Sequence, residues 1–307
     1  MTRMLFTALL ALAGCDQVVE ASASPQDRCN IHKDIEACFQ IGKSALDASI
    51  PNNTKARTFL SKACTFHHAE GCNLLATMVN TAKGGPRDPK RAAELFDIAC
   101  KGGVPTACVE LGLMLFDGDG VDKDAMRAVG IFQTSCGGEP PQPKACTALG
   151  RAYAEGVGID GEADLEIAER MHRKACTSDD APGCVEVGAL LRAKTSTNAE
   201  ETAANQTGAM EFFHTACRLD PAMGCFELAA MHRDKELPDP SDSKASILFQ
   251  KACQADPTRG CFEAAELMVS SPRLSAKANE IESLYNLACE HGHTEACSKR
   301  SVRRDEP

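Results

Sequence analysis

The sequence predicts an all-α protein built from about seven stacked helix pairs. Its seventeen cysteines comprise one isolated residue and eight pairs, and successive pairs begin 35 to 41 residues apart. A regular spacing of this length is typical of repeat arrays rather than of one globular core. Two apolar patterns with helical periodicity recur at the same spacing, and no alternating strand pattern competes with them.

The first recurring pattern, helix A, begins at the second cysteine of each pair. Cys108, Leu111, Gly112 and Leu115 occupy positions i, i+3, i+4 and i+7, which lie on one face of a helix. The small residue in the third position allows a neighbouring helix to approach closely. The same pattern starts again at Cys72, Cys146 and Cys184.

The second pattern, helix B, ends at the first cysteine of the next pair. An apolar pair such as Leu95 and Phe96 precedes an Ala-Cys dipeptide, and related pairs precede Cys217, Cys253 and Cys289. Asp88 followed by a proline is a typical helix start, because the acid caps the helix and proline suits the first turn. Serines at 241–243 and Ser275 are predicted to start helices at equivalent positions.

Glycine- and aspartate-rich turns join helix A to helix B, as at 117–123 and 156–161. Each unit is therefore predicted to be an αα-hairpin. The last helix is predicted to begin near Thr294 and to place Arg300 and Ser301 where other units have apolar residues. A polar final helix is what a repeat array needs where it meets water.

The first fifteen residues have the charged, apolar and small-residue zones of an export signal, and the apolar run is too short to cross a membrane as a helix. The sequence Leu-Ala-Gly-Cys ending at Cys15 resembles the lipobox of bacterial lipoproteins. That resemblance implies a signal peptide over 1–14, acylation of Cys15 and a flexible tether over 15–28. The alternative is an ordinary signal peptide with an incidental cysteine. Asp16 favours retention at the inner membrane in some bacteria.

The sixteen remaining cysteines form an even set, which favours disulfides in an exported protein. Seven residues separate the partners of most pairs, a spacing that puts one cysteine at the end of helix B and its partner at the start of the next helix A. Metal or haem binding is the rival interpretation, but zinc sites use closer pairs. The predicted disulfides join Cys29 with Cys38, Cys64 with Cys72, Cys100 with Cys108, Cys136 with Cys146, Cys176 with Cys184, Cys217 with Cys225, Cys253 with Cys261 and Cys289 with Cys297.

The two units that run from 107 to 136 and from 145 to 176 look like Sel-like repeats, which are related to tetratricopeptide repeats. The resemblance covers residues 29–304, leaving a tail over 305–307, and implies a right-handed αα-solenoid. The cysteine-bearing units are similar to the cysteine-rich secreted Sel-like proteins, some of which are described as β-lactamases. The chain departs from the pattern in a longer A–B loop over 195–206 and a proline-rich bend between Cys136 and Cys146.

Ser241 and Lys244 match the S-x-x-K motif of penicillin-interacting serine enzymes. The companion S-D-N and K-T-G motifs are missing, and a serine at a helix start is a natural cap. A slow β-lactam hydrolase that uses Ser241 and Lys244 is therefore the alternative function, and the chain is not predicted to be an enzyme.

No cofactor or metal site is predicted. Asp117, Asp119, Asp122 and Asp124 resemble a calcium loop, but Val121 stands at a ligand position and the closing glutamate is missing. His67 and His68, like His291 and His293, fall in the turns between helices B and A, where exposed turn histidines are the simpler interpretation.

The net charge of −10 disfavours nucleic acid as a partner. The main functional prediction is a monomeric scaffold, anchored in the bacterial envelope through Cys15 and facing the periplasm or the surface, that binds a protein or peptide. A structural envelope spacer is a further alternative. The sequence does not decide whether the anchor lies in the inner or the outer membrane, or whether the ligand is a peptide or a glycan. The predicted binding residues are on the exposed face of the A helices: Glu110, Met114, Arg151, Glu186, Glu227 and Glu263.

Overall fold

The computed structural model describes residues 24–157, 161–194, 196–274 and 277–302, with side chains to Lys299. Within these ranges the secondary structure is entirely helical, with no strand, as the sequence predicts. The chain divides into two compact units between Ile131 and Phe132, a point that lies inside a helix. Among the described helices, none is both long enough and apolar enough to cross a membrane.

The helices of the first unit follow the predicted alternation of A and B. A short helix precedes two complete A–B pairs and a third pair whose B helix contains the division between the units. The helices are α1 (Pro25–Asn30), α2 (Ile35–Asp47), α3 (Asn53–Thr65), α4 (Ala69–Asn80), α5 (Pro89–Lys101), α6 (Pro105–Asp117) and α7 (Ala125–Gly137). From α2 onwards, even-numbered helices are A helices and odd-numbered ones are B helices.

The second unit continues the same alternation. Its helices are α8 (Pro143–Glu155), α9 (Leu165–Cys176), α10 (Ala181–Ala193), α11 (Ala199–Leu219), α12 (Phe226–Arg233), α13 (Asp242–Ala255), α14 (Pro257–Ser270), α15 (Ala278–Glu290) and α16 (Thr294–Val302). A π-helical turn over Pro221–Cys225 leads directly into α12, and a 3₁₀ turn over Pro272–Leu274 follows α14. The predicted start of the last helix at Thr294 is confirmed.

Helix starts agree with the capping signals in the sequence. The Asp88 side chain accepts a hydrogen bond from the Arg91 N–H at 3.0 Å, and Pro89 is the first residue of α5. Ser241 caps α13 in the same way, by accepting from the Lys244 N–H. Ser275 lies outside the described residues. At the start of α15 the cap position is occupied by Lys277.

The core of each unit consists of alanines and a few large side chains between neighbouring helices. The glycine of the A-helix pattern permits close packing, as predicted. A Cβ at Gly188 would lie 2.6 Å from the Phe213 ring, and one at Gly42 would lie 2.7 Å from Leu60. The glycine turns are also needed, because Gly120 has a φ of +76° and a Cβ there would lie 2.4 Å from the Pro89 carbonyl carbon.

All eight predicted disulfides are present, and their Cα–Cα distances run from 4.3 to 4.8 Å. The first cysteine of each bond lies in a B helix or in α1, and the second lies at the start of the following A helix or, for Cys225, in the π-helical turn that precedes it. The bonds join Cys29 to Cys38, Cys64 to Cys72, Cys100 to Cys108, Cys136 to Cys146, Cys176 to Cys184, Cys217 to Cys225, Cys253 to Cys261 and Cys289 to Cys297.

Two of these bonds, those of Cys38 and Cys225, depart from the common arrangement. Cys38 is the fourth residue of α2, and its partner lies in the short helix α1 instead of a full B helix. Cys261 lies in the first turns of α14, whereas Cys225 lies in the π-helical turn that precedes α12. Cys297 lies in α16, so the final polar helix is bonded to α15 in the same way as the others.

The disulfides stabilise the fold and indicate its compartment. A loop of nine residues closed in this way, such as that between Cys100 and Cys108, should contribute about 2.5 kcal/mol in the chain-entropy account. Eight disulfides are typical of proteins outside the cytoplasm, so the chain is a non-cytoplasmic protein.

The predicted longer loop over 195–206 is wrong in its secondary structure. Helix α11 begins at Ala199 and runs for 21 residues, so the additional residues extend a B helix instead of forming a loop. Asn198 caps this helix by accepting from the Glu200 N–H at 2.9 Å. The alanines and glutamates between 199 and 204 are good helix formers, which explains the extension. Thr195 lies outside the described residues.

Candidate functional site

Met114 does not belong to an exposed A-helix face, and its prediction as a binding residue is wrong. Its side chain is only 4% exposed. It follows Leu111 by three residues, and this spacing puts both side chains on the buried side of α6. Glu110 is half-buried in the same helix. The other four predicted residues lie in the second unit.

These four residues lie in a line of charged side chains that crosses successive A helices. We call this line the charged row and define it as Arg151 of α8, Glu186 and Arg192 of α10, Glu227 and Arg233 of α12, and Glu263 of α14. In each of α10, α12 and α14 the glutamate stands two residues after a disulfide cysteine. The row therefore repeats with the period of the fold.

Arg192 connects α10 to α12 and to the loop that follows α12. Its guanidinium lies 3.4 Å from the Glu227 carboxylate and 3.3 Å from that of Asp234, and its Nε donates to Glu236 at 2.6 Å. Each of these groups is only partly exposed, so the charges are less screened than those of a surface pair. One arginine thus holds three carboxylates from the following repeat.

Arg233 makes the equivalent connection one repeat further along. Its guanidinium donates to Glu263 of α14 at 2.5 Å and to Asp234 at 2.7 Å. The hydrogen bond from Arg233 holds the pKa of Asp234 below its usual value, although partial burial opposes this effect. Asp234 is therefore shared between Arg192 and Arg233, and the row is a connected network.

Glu186 is the most exposed carboxylate of the row. It nevertheless lies among neighbouring chain atoms, and this burial raises its pKa above the usual value. The charge of Arg151 acts in the opposite direction, and the negative charge of Glu227 raises the pKa further. A cation brought to this point would relieve the unfavourable environment of the Glu186 carboxylate.

The second unit also contains an apolar pocket of about 470 Å³, which we call the α12 pocket. It opens between α11, α12, the loop after α12 and α13. The pocket is lined by Met210, His214, Leu228, His232, Leu237, Pro238, Asp239, Lys244, Ile247 and Leu248. Its volume lies within the range of about 300 to 1,000 Å³ that is usual for ligand sites.

His232 is the buried polar group of this pocket. Its side chain is 7% exposed, and its Nδ1 has no hydrogen-bond partner. Burial lowers the pKa of His232, and so do the charges of Lys244 and His214, whereas the Asp239 carboxylate opposes the shift. The ring is therefore held neutral in an apolar setting, with unused hydrogen-bonding capacity.

Ser241 and Lys244 both have structural partners. The Ser241 hydroxyl accepts from the backbone N–H of Lys244 at 3.3 Å, and the Lys244 ammonium lies 3.1 Å from the Asp239 carboxylate. The serine therefore acts as a helix cap, as the sequence position suggests. Lys244 also lines the α12 pocket, so the motif and the pocket meet at this residue.

The turn histidines His68 and His293 also have structural partners. His68 accepts from the Gly71 N–H at 3.0 Å and stacks on Phe39. His293 likewise accepts from the Ala296 N–H at 3.2 Å and stacks on a phenylalanine ring. Both rings therefore cap A helices.

The four aspartates that resemble a calcium loop lie at the end of α6 and in the turn that follows it. Asp119 pairs with Arg87, and Asp124 accepts from the Arg127 N–H at 3.0 Å at the start of α7. In the part of the chain that the structure describes, no group of three or more His, Cys, Asp or Glu residues is arranged to hold a metal ion. Cys15 lies outside that part of the chain.

Sequence reasoning missed His172 and His232. His172 occupies the position four residues before a B-helix cysteine, where Phe96, Phe213 and Phe249 stand in other repeats. His232 occupies the last apolar position of the A-helix pattern, where Leu115 stands in α6. An alignment of the repeats on their cysteines would have shown both histidines as polar residues in core positions.

The stacked helix pairs and their regular disulfides define a class, that of helical-repeat proteins. The family model described as "Sel1 repeat" matches residues 35–65, 69–104, 105–136, 143–180 and 222–257, which together make up more than half of the chain. The chain therefore belongs to the Sel1 repeat family, and the predicted family resemblance is confirmed. Sel1 repeat proteins generally mediate protein–protein interactions.

Two solved structures support the same fold, and a third is similar over part of the chain. A Sel1 repeat protein from Oxalobacter formigenes is 19% identical with a TM-score of 0.65, covering 84% of this chain and 99% of that chain. The protective antigen c5321 of uropathogenic Escherichia coli, which has an SLR fold, is 17% identical with a TM-score of 0.61, covering 93% and 60%. Cysteine rich protein B of Helicobacter pylori is 27% identical over 41% of this chain and 90% of that chain, with a TM-score of 0.30.

Curated relatives match only part of the chain. Cytochrome c oxidase assembly factor 7 of Xenopus tropicalis is 33% identical over 94 residues, which amount to 29% of this chain. A second factor of this name, 7A of Xenopus laevis, is 35% identical over 95 residues. The chain spans 41% of the length of these relatives.

Proposed function

We propose that this protein is an envelope-anchored scaffold that binds a basic surface of a protein partner through the charged row. The observation that carries the proposal is the network of Arg192, Arg233 and their carboxylates, which fixes charged side chains of successive A helices in one line. Membership in a family that generally mediates protein–protein interactions supports the same function.

The sign of the partner's charge follows from the composition of the row and its loop contacts. Five carboxylates, those of Glu186, Glu227, Asp234, Glu236 and Glu263, face the guanidinium groups of Arg151, Arg192 and Arg233. The excess of negative charge favours lysine or arginine side chains on the partner. The net charge of −10 for the whole chain would accelerate association with such a surface.

Fixed geometry makes the row suited to recognition. Ordering a flexible charged side chain at an interface costs free energy. Arg192 and Arg233 are already ordered by their contacts within the fold, so binding a partner requires little further free energy to order them. The same contacts connect neighbouring repeats, and substitutions of Glu227 or Glu263 would therefore change stability as well as binding. Glu186 is the better residue to probe.

The anchoring part of the proposal rests on the lipobox-like sequence that ends at Cys15 and on the eight disulfides, which suit an exported protein. An acyl chain on Cys15 would hold the protein at a membrane without a transmembrane helix. Metabolic labelling with an alkyne-bearing fatty acid tests this step. We expect label on the native chain and none on Cys15→Ala, and equal labelling of both would refute anchoring through Cys15.

Photo-crosslinking tests partner binding. A benzophenone amino acid placed at Glu186 should give a discrete crosslinked protein in cells that produce the full chain, and the yield should fall at high salt. The matched control carries the same group at Glu290, an exposed acid of the B helix α15. No crosslink at Glu186, or the same products at both positions, would contradict the proposal and favour the structural spacer. The β-lactam hydrolase remains an alternative from family resemblance only.

A further inference from the structure

The α12 pocket is a place where two residues depart from the repeat pattern together. His232 stands at a core position that is apolar in α6. Ile247 of α13 is 67% exposed, whereas Glu94, Arg170 and Glu211 occupy the same position relative to the cysteine in other B helices. The exposed isoleucine and the buried histidine with an unpartnered nitrogen line the same apolar pocket, a combination typical of a ligand site.

The wall of the pocket is suited to aliphatic side chains. Met210 of α11, Leu228 of α12, and Ile247 and Leu248 of α13 supply the apolar surface. A volume of about 470 Å³ accommodates more than one aliphatic side chain. Burial of the exposed part of Ile247 by such a ligand would be favourable, since apolar surface removed from water contributes roughly 25 cal/mol per Å².

The polar groups of the pocket are predominantly donors and bases. His214, His232 and Lys244 come from three different helices, and Asp239 is the one carboxylate among the lining residues. The Lys244–Asp239 pair is exposed, with 89% of the Asp239 side chain open to solvent, and exposed pairs of this kind contribute little to stability. A carboxylate from a ligand can therefore replace Asp239 beside Lys244 at small cost. The donors that remain, on Lys244 and the two histidines, are complementary to a carboxylate.

We propose that the α12 pocket binds a segment of a partner protein in which aliphatic side chains adjoin a carboxylate. The aliphatic side chains lie between Met210, Ile247 and Leu248, and the carboxylate accepts hydrogen bonds from His232, His214 and Lys244. This inference rests on the proposed function in that the occupant is a protein. It uses a different surface from the charged row, so either site can fail without the other.

Synthetic peptides test the proposal directly. The probe is an acetylated, amidated peptide with the sequence Gly-Ser-Leu-Leu-Asp-Ser-Gly, and two matched peptides replace Asp by Lys or both Leu by Ala. Binding is followed by methyl NMR of the full oxidised chain, because Met210 and Ile247 report from the pocket itself. We expect saturable shifts of both methyl signals with the Asp peptide, at least fivefold weaker binding of the Lys peptide, and no saturable shift with the Ala peptide.

Two variants assign the effect to the pocket. Ile247→Ser should reduce affinity for the Asp peptide at least fivefold, whereas Val269→Ser, a matched change of an exposed apolar residue in α14, should leave it unchanged. His232→Leu restores the residue found at Leu115, so it should fold, and it should reduce the preference for Asp over Lys. Equal affinity for the Asp and Lys peptides in the native chain, or equal effects of the two serine variants, would overturn the proposal.

A further probe distinguishes a protein segment from a free carboxylic acid as the ligand of the α12 pocket. Hexanoate carries an aliphatic chain and a carboxylate but no peptide. If hexanoate shifts the Met210 and Ile247 signals saturably and none of the peptides does, the pocket takes free carboxylic acids and the proposal is overturned. Absence of any shift with all probes overturns it as well. Neither result bears on crosslinking at Glu186, which tests the charged row separately.

Discussion

The imidazole of His172 lies directly against Gly150, so that a Cβ on that glycine would be 2.5 Å from the ring carbon Cε1. Gly150 belongs to the A helix α8 and His172 to the B helix α9. One repeat further along, Gly188 and Phe213 have the same relationship, with 2.6 Å between the corresponding atoms. The contact of a bare glycine with a flat ring is therefore a recurring element of this fold, and His172 takes the place of an aromatic side chain.

The close contact predicts that Gly150→Ala destabilises the protein. The added methyl group would press on a ring that is buried on all sides, and overpacking of this kind costs about 1 to 3 kcal/mol. Gly130 provides a matched control, because a Cβ there meets nothing within 4 Å in the helix α7. Gly130→Ala should stabilise the protein by about 0.5 to 1 kcal/mol through helix propensity. Urea unfolding of the two variants measures the difference, and equal effects would contradict this account.

The burial of His172 predicts that the folded protein loses stability in acid. Burial lowers its pKa to about 4 from an ordinary 6.5, and the Asp180 charge opposes the shift only in part. Because the folded pKa is the lower one, the unfolded chain takes up a proton between pH 6.5 and 4 that the folded chain does not. The stability present above pH 6.5 is therefore lost as the pH falls towards 4, by about 3 kcal/mol in total.

His172→Phe tests this prediction, since the phenyl ring restores the residue found at Phe213 and does not titrate. The free energy of unfolding of the variant should exceed that of the native chain by more at pH 4.5 than at pH 7.5, with an increase of about 2 kcal/mol between the two conditions. Phe213→His is the reverse change at the equivalent position and should make the stability more sensitive to acid. Parallel pH profiles for His172→Phe and the native chain would refute the assignment.

We expect each disulfide to contribute a part of the free energy of unfolding, so that no single bond is essential for folding. Replacing Cys100 and Cys108 together by alanine should lower the free energy of unfolding by about 2.5 kcal/mol, because the nine-residue loop gains freedom in the unfolded chain. Helical content should persist, since the two helix ends keep their packing. Urea unfolding under oxidising conditions measures the loss. With reductant present the difference between variant and native chain should shrink, and a difference that stays the same would show a packing effect instead.

Much of the fold was predictable because the cysteines mark every junction between repeats. Cys100 and Cys108 lie at helix ends in sequence and in structure, and the caps at Asp88 and Ser241 follow from local hydrogen bonding. The extension of α11 was not predictable from the repeat period. Additional residues lengthen the period by the same amount whether they form a helix or a loop. Local composition near Ala199 contained the missing information.

The candidate sites were less predictable because they depend on contacts between repeats. The glutamates Glu227 and Glu263 were identified as exposed residues of the A helices, but their arginine partners come from the preceding A helix, 30 or more residues earlier. Met114 was misassigned because helical periodicity alone does not show how wide the buried face is. The pocket around His232 needs three helices and a loop, and no local pattern specifies that arrangement.

The capping role of Ser241 predicts that Ser241→Ala lowers the stability of the protein and leaves its lack of reaction with penicillin unchanged. Its hydroxyl caps α13 through the Lys244 N–H, so Ser241→Ala should cost about 1 kcal/mol. Ser243→Ala, a matched change of an exposed serine inside the same helix, should cost much less. A fluorescent penicillin should label neither the native chain nor either variant, because the Lys244 ammonium pairs with Asp239 while the hydroxyl caps the helix. Covalent label on the native chain that disappears in Ser241→Ala but persists in Ser243→Ala would show instead that the cap is a nucleophile.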